Sequence, residues 1–130
     1  MPVKITALYL SLTAILALVL AFRVVRLRRS RKIGVGTGKD KDLTLCVRCH
    51  GNLLEYAPLV LLMLGAAELN GADSTWLHLC GGLWVIARVL HPWGLTQGGG
   101  GYHPGRFLGT LVTWLVILAL AGVNLGLLLV

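Results

Sequence analysis

From Phe107 to Val130 the chain reads FLGTLVTWLVILALAGVNLGLLLV, 24 residues without one charged side chain. About 20 predominantly apolar residues suffice for a helix to cross the hydrocarbon core of a bilayer. Backbone groups in hydrocarbon must be satisfied within the segment, so such a stretch is a helix. Three earlier stretches repeat the theme. Ile5 to Phe22 is 18 residues without a charge, and the helix extends toward Leu27 if Arg23 and Arg26 snorkel to the headgroups. Arg28 to Asp42, with Gly34, Gly36 and Gly38, reads as a loop. A second span ends at Leu69 and begins near Leu43 or Leu45, with Glu55, Tyr56 and Pro58 inside it. Asn70 to Ser74 is a compact turn in which Asp73 or Ser74 caps the next helix. The third span runs from about Thr75 to Leu90, and Pro92, Gly94 and Gly98 to Gly101 are expected to break it.

Composition agrees with this layout. Hydrophobic residues make up 56% of the 130 positions and charged residues 13%, about half the share in soluble domains. The expectation is one domain over residues 1–130, all-α, a bundle of four transmembrane helices. The segments lack the two-residue alternation of an outer-membrane barrel. Nine of the twelve Lys and Arg residues lie between Arg23 and Arg48. A basic run set against apolar helices reads as a topogenic, lipid-headgroup segment and not as a nucleic-acid surface. Four spans place both termini on one side. The basic first loop and the Trp93 to Arg106 loop share the other, which the positive-inside rule makes cytoplasmic, leaving the termini periplasmic. The first apolar segment runs into arginines with no small-residue cleavage site, so it is expected to be retained as a span and not removed as a signal peptide.

The G-x-G-x-G of the first loop has no preceding strand and no lysine–serine pair, so it is no phosphate cradle. Cys46 and Cys49 form a C-x-x-C, the spacing of redox and metal sites. With Cys80 alone in an apolar stretch and no paired Cys/His set, all three read as small buried hydrophobes, and no metal is expected.

Polar groups inside the spans carry the functional signal. Arg48, Asn52 and Glu55 at i, i+4 and i+7 stack on one helical face. A guanidinium, an amide and a carboxylate can satisfy one another in a dry interior. Ionisable groups in a span face a bundle interior or cavity and mark functional sites by default. The two readings are a structural network locking the second helix and an anionic ligand site. Arg88 lies near the same membrane face as Arg48, with His91 almost one turn onward. Two arginines at one depth call for anions, and Glu55 alone does not suffice for both. Arg106, at the start of the fourth helix, closes the region from a third direction. Glu68, at the opposite end of its helix, reads as an interfacial carboxylate. Trp76 and Trp93 fit an aromatic belt, and Tyr9 and Tyr56 are interior candidates. Gly109, Gly122 and Gly126 offer small faces for helix contacts, within the chain or between copies.

The segment Arg48-Cys49-His50-Gly51-Asn52-Leu53-Leu54-Glu55-Tyr56-Ala57-Pro58 resembles the R-x-x-x-N-x-x-E-[Y]-x-P motif of the MAPEG family, the small membrane proteins of eicosanoid and glutathione metabolism. Glu68-Leu69-Asn70-Gly71 resembles the turn into the third helix of bacterial members, and Ala87-Arg88-Val89-Leu90-His91 is similar to the A-R-x-x-[HY] stretch at that helix's end. The resemblance implies a left-handed four-helix bundle, a homotrimer in a bacterial inner membrane, and glutathione bound between subunits near the cytoplasmic side. Carried over, Arg48, Asn52, Glu55 and Tyr56 hold glutathione, with Arg88 and His91 contributing. Arg106 matches the helix-four arginine that promotes thiolate formation, and Arg48 shares the catalytic assignment. His91 stands where eicosanoid enzymes often have a tyrosine, and Leu95 replaces a second tyrosine one turn later.

The expected function is that of a glutathione-dependent transferase or peroxidase. Arginines neutralise the tripeptide's carboxylates and lower the thiol pKa, and the thiolate attacks a lipophilic electrophile arriving from the bilayer. The expected partners are membrane lipids, a lipophilic small molecule and further copies of the chain. One alternative is a non-catalytic lipid- or glutathione-binding relative. The other is a small transporter subunit, for which the first and fourth helices offer little beyond Thr6, Ser11, Thr13, Thr110, Thr113 and Asn124.

Overall fold

The computed structural model describes residues 2–129, which form four helices and, among the described residues, no strand. They are α1 (Lys4–Arg31), α2 (Lys41–Leu69), α3 (Ser74–Gln97) and α4 (Pro104–Leu127). Their 28, 29, 24 and 24 residues correspond to about 36–44 Å at 1.5 Å per residue, enough for a bilayer. Three of them, α1, α2 and α4, are also apolar enough to cross a membrane on composition alone. α3 carries Arg88, two histidines and Gln97, and it hides Arg88 and His91 in the bundle interior. Protein covers these two, while His78 and Gln97, nearer the ends of the helix, are exposed. This is a four-helix membrane bundle.

The boundaries follow local chemistry. α1 extends past the expected end at Leu27 to Arg31. Arg28, Arg29 and Arg31 occupy its last turn, where cations suit the negative end of the helix dipole. Lys32 then turns left-handed at φ 56°. Arg28 folds back to donate to the carbonyls of Ile33 and Gly36, at 3.3 and 2.8 Å, which ties down the glycine loop. Asp40 caps α2 by accepting from the Leu43 N–H at 2.8 Å. Asp73 caps α3, accepting from Thr75 and Trp76. Gly71, at φ +83°, makes the turn before it.

Pro92 and Gly94 do not break α3. The helix continues seven residues beyond Leu90, because α4 grips it on both sides of the proline. A Cβ on Gly109 would lie 2.8 Å from the Ala87 carbonyl oxygen and from the His91 nitrogen. A Cβ on Gly94 would run into the backbone of Gly105 and Arg106. Backbone therefore lies on backbone along this seam, the close approach that small residues permit. α4 starts at Pro104, with the His103 ring accepting from the Gly105 N–H at 3.1 Å. Its last helical residue is Leu127, and Val130 lies outside the described residues.

α2 and α3 form the central pair. α1 packs on both from one flank and α4 on both from the other, and α1 and α4 do not touch within the described residues. Leu53, Val60, Leu64, Leu77, Trp84 and Leu120 are buried between them. Trp84 donates its indole N–H to Thr13 at 2.9 Å, so a fully buried tryptophan ties α3 to α1. Trp76, Trp93 and Trp114 are exposed. Glu68 reaches across to α1 and accepts the N–H groups of Ile5 and Thr6 at 2.9 and 2.7 Å. It therefore caps the orphan donors at another helix's start.

Candidate functional site

Three helix ends converge on the side of the two longer loops: the first turns of α2, the last of α3 and the first of α4. Between them lies a cavity of about 190 Å³ lined by Arg48, Asn52, His91 and Arg106, with Leu45, Leu95 and Gly100. Four of the sequence-derived candidates therefore share one space. The 98–103 loop closes it, and its Gly99 and Gly100 adopt φ +56° and +88°. Arg106 holds that loop by donating to the carbonyls of Gly100 and Gly101 at 2.7 and 3.1 Å. Trp93 meets the His103 ring edge-on, with centroids 4.9 Å apart, and pins the loop's far end.

Glu55 pairs with Arg48 at 3.1 Å, and both side chains are more than half exposed. The stacking read from their spacing is present, but Asn52 turns elsewhere. Its carbonyl oxygen accepts from Arg88 at 2.7 Å, across to α3. Arg88 is 2% exposed and does not line the cavity. Its other terminal nitrogen donates to the Gly109 carbonyl at 2.9 Å, so one guanidinium joins α2, α3 and α4. The same carbonyl accepts the Thr113 hydroxyl at 2.7 Å. Among the described residues no carboxylate lies within ion-pair distance of Arg88, and its Nε has no partner.

Two aromatic rings take up part of that charge. The Arg88 guanidinium carbon lies 5.4 Å from the centroids of both Tyr56 and Trp84, within cation–π range. Tyr56 in turn accepts the Trp114 indole N–H at its hydroxyl, at 3.0 Å. Tyr56 and Arg88 thus sit behind the cavity wall, with Asn52 as the link between wall and cavity. Cys49 is buried against the Pro92 carbonyl and Thr96, at 3.7 and 3.8 Å, and Cys80 is buried in the core.

Sequence reasoning passed over Leu45 and Gly100 as wall residues and Gly109 as the acceptor for Arg88, whereas Leu95, which the resemblance set at a tyrosine position of the site, does line the cavity. A signal for Gly109 was present. Gly105 and Gly109 stand one turn apart on α4, the spacing of a small helix face. Nothing along the chain marks which carbonyl that face offers.

The arrangement presents two accessible guanidinium groups, an amide and an imidazole to one small space. Such a donor set suits carboxylates and a developing thiolate. Residues 6–126 match the MAPEG family. The chain is 32% identical over 125 residues to the inner membrane protein YecN of Escherichia coli (strain K12), across 93% of this chain and 90% of that one. The protein of the same name from Escherichia coli O6:H1 (strain CFT073) is similar to the same extent. No solved structure matches.

Proposed function

The chain belongs to the MAPEG family, and from that premise we infer that it is a glutathione-dependent membrane transferase or peroxidase acting on lipophilic electrophiles. The observation that carries this reading is the cavity that gathers Arg48, Asn52, His91 and Arg106 at the end of a membrane bundle. The donors fit the tripeptide, since Arg48 and Arg106 match its two carboxylates and its sulfur. Glutathione supplies a sulfur nucleophile when bound. Arg106 sits at the N-terminus of α4, where its guanidinium and the helix dipole both favour an anion. Arg48 and Asn52 orient the peptide, Glu55 holds Arg48 in place, and Tyr56 and Arg88 set Asn52 from behind.

About 190 Å³ falls below the ~300 Å³ at which small-molecule sites usually begin. That shortfall supports a site completed by a second copy of the chain, as in a homotrimer. Arg23 to Arg48 carry most of the positive charge, which by the positive-inside rule supports a site on the cytoplasmic side of an inner membrane with the termini in the periplasm.

The deciding experiment is glutathione binding to detergent-purified protein, followed by heat and by thiolate absorbance. Wild type is compared with Arg48→Ala, Arg88→Ala and Arg106→Ala. Binding with a thiolate signal that Arg106→Ala removes supports the reading. Saturable binding without thiolate makes the chain a binding protein, and no binding at millimolar glutathione sinks the proposal.

A further inference from the structure

A second polar chamber lies on the opposite flank of the central pair, between α1, α2 and the end of α3. Its volume is about 480 Å³, and Arg23, Arg26, Ser30, Cys46 and Thr96 line it. Arg23, Arg26 and Ser30 are spaced i, i+3 and i+7, which sets them on one face of α1. Among the described residues neither arginine donates a hydrogen bond or joins an ion pair. One carboxylate, Asp42, also lines the chamber, and it pairs with Arg31 at 3.3 Å. Two guanidinium groups thus face the cavity unpaired, against a single carboxylate that Arg31 shares.

Their depth and the adjoining surface define the group they suit. Arg23 follows directly on the 18 uncharged residues Ile5 to Phe22, so it stands where hydrocarbon gives way to headgroups. A second cavity of about 290 Å³ shares Arg23 and Thr96 with the first. It runs between α1 and α3 along Leu16, Val19, Leu20, Val89 and Trp93. A basic chamber adjoining a largely apolar groove at the membrane boundary has the two-part chemistry of one ligand, an anionic head on a hydrocarbon tail.

The geometry points to a phospholipid site, in which Arg23 and Arg26 hold the phosphate of an anionic phospholipid and an acyl chain lies in the α1–α3 groove. Guanidinium forks suit phosphate oxygens, and a basic pocket between helices is a recognised form of headgroup site. The site is separate from the cavity of Arg48 and Arg106. That one lies on the α4 flank, and the two share only Leu45.

The test is native mass spectrometry of the full chain from neutral detergent, titrated with phosphatidylglycerol or phosphatidylcholine. Wild type is expected to retain phosphatidylglycerol over phosphatidylcholine. Arg23→Ala/Arg26→Ala is expected to lose that preference at least about tenfold, the effect of removing charge-assisted bonds. Arg29→Ala, an exposed arginine outside the cavity lining, is expected to keep it. Cys46 gives a second readout in the wild-type protein. It is half-buried in the chamber wall, and phosphatidylglycerol is expected to slow its alkylation by N-ethylmaleimide several-fold where phosphatidylcholine does not. Equal retention of the two lipids, or equal loss in Arg29→Ala, overturns the site. So does protection of Cys46 by glycerol phosphate as strong as by the lipid, which makes the chamber a site for a soluble phosphate.

Discussion

Gly109→Ala adds one methyl group to α4 at the point where that helix lies on α3. The new Cβ would stand 2.8 Å from the Ala87 carbonyl oxygen and the His91 nitrogen, against about 3.4 Å for ordinary contact. Both neighbours are backbone, so no rotamer relieves the clash and the helices must part by about 0.6 Å. Overpacking of this kind costs about 1–3 kcal/mol. Alanine is also a better helix former than glycine by about 1 kcal/mol, which would mask part of the loss. Gly122 supplies the control, because it lies in the same helix and nothing stands within 4 Å of its Cβ position. Gly122→Ala therefore carries the helix gain without the clash. The expected result is that Gly109→Ala unfolds about 1–3 kcal/mol below Gly122→Ala, measured side by side by circular dichroism in one detergent. The Arg88–Gly109 bond, 2.9 Å in the native chain, would stretch toward the limit of hydrogen bonding, and glutathione affinity should fall with it. Two variants that unfold within about 0.5 kcal/mol of each other would refute the backbone-on-backbone seam.

Three further outcomes are expected. Asn52→Ala removes a partner from the buried Arg88 and should cost about 1–3 kcal/mol, seen in thermal unfolding, while Asn52→Asp restores an acceptor and recovers part of the loss. Glu55→Gln breaks an exposed ion pair and should change stability by less than about 1 kcal/mol; titration calorimetry should nonetheless show weaker glutathione binding as Arg48 loses its orientation. Glu68→Ala uncaps the start of α1 and should cost about 0.5–2 kcal/mol, and hydrogen exchange should rise at Ile5 and Thr6 before it rises at the bundle centre.

The spans were legible because hydrocarbon leaves so few options. An uncharged run such as Phe107 to Leu127 has to be a helix, whatever it packs against. The face shared by Arg48 and Glu55 was legible for a similar reason, since spacing along one helix determines which side chains stack. What spacing along one helix leaves open is the opposing surface. Asn52 lies on the same stack and bonds to Arg88 instead, and Glu68 serves the first turn of α1, 62 residues away. Pro92 misled for a related reason. Its lost N–H is a local cost, whereas the grip of Gly94 and Gly109 on α3 comes from another helix. Both kinds of miss arise where tertiary contact overrides a signal that is correct for an isolated segment.

The Glu68 cap also has a meaning in time. A chain leaves the ribosome from its N-terminus, and both partners of this contact lie within the first 68 residues. The α1–α2 hairpin can therefore close at its far end before α3 has been made. Arg88 is different, because its guanidinium needs Asn52 behind it in the chain and Gly109 still to come. Its clasp forms only after α4 has entered the bilayer. The nascent protein thus acquires its first latch early and its last one late, and a ribosome-bound chain halted between the two would hold a locked hairpin beside an unsatisfied arginine.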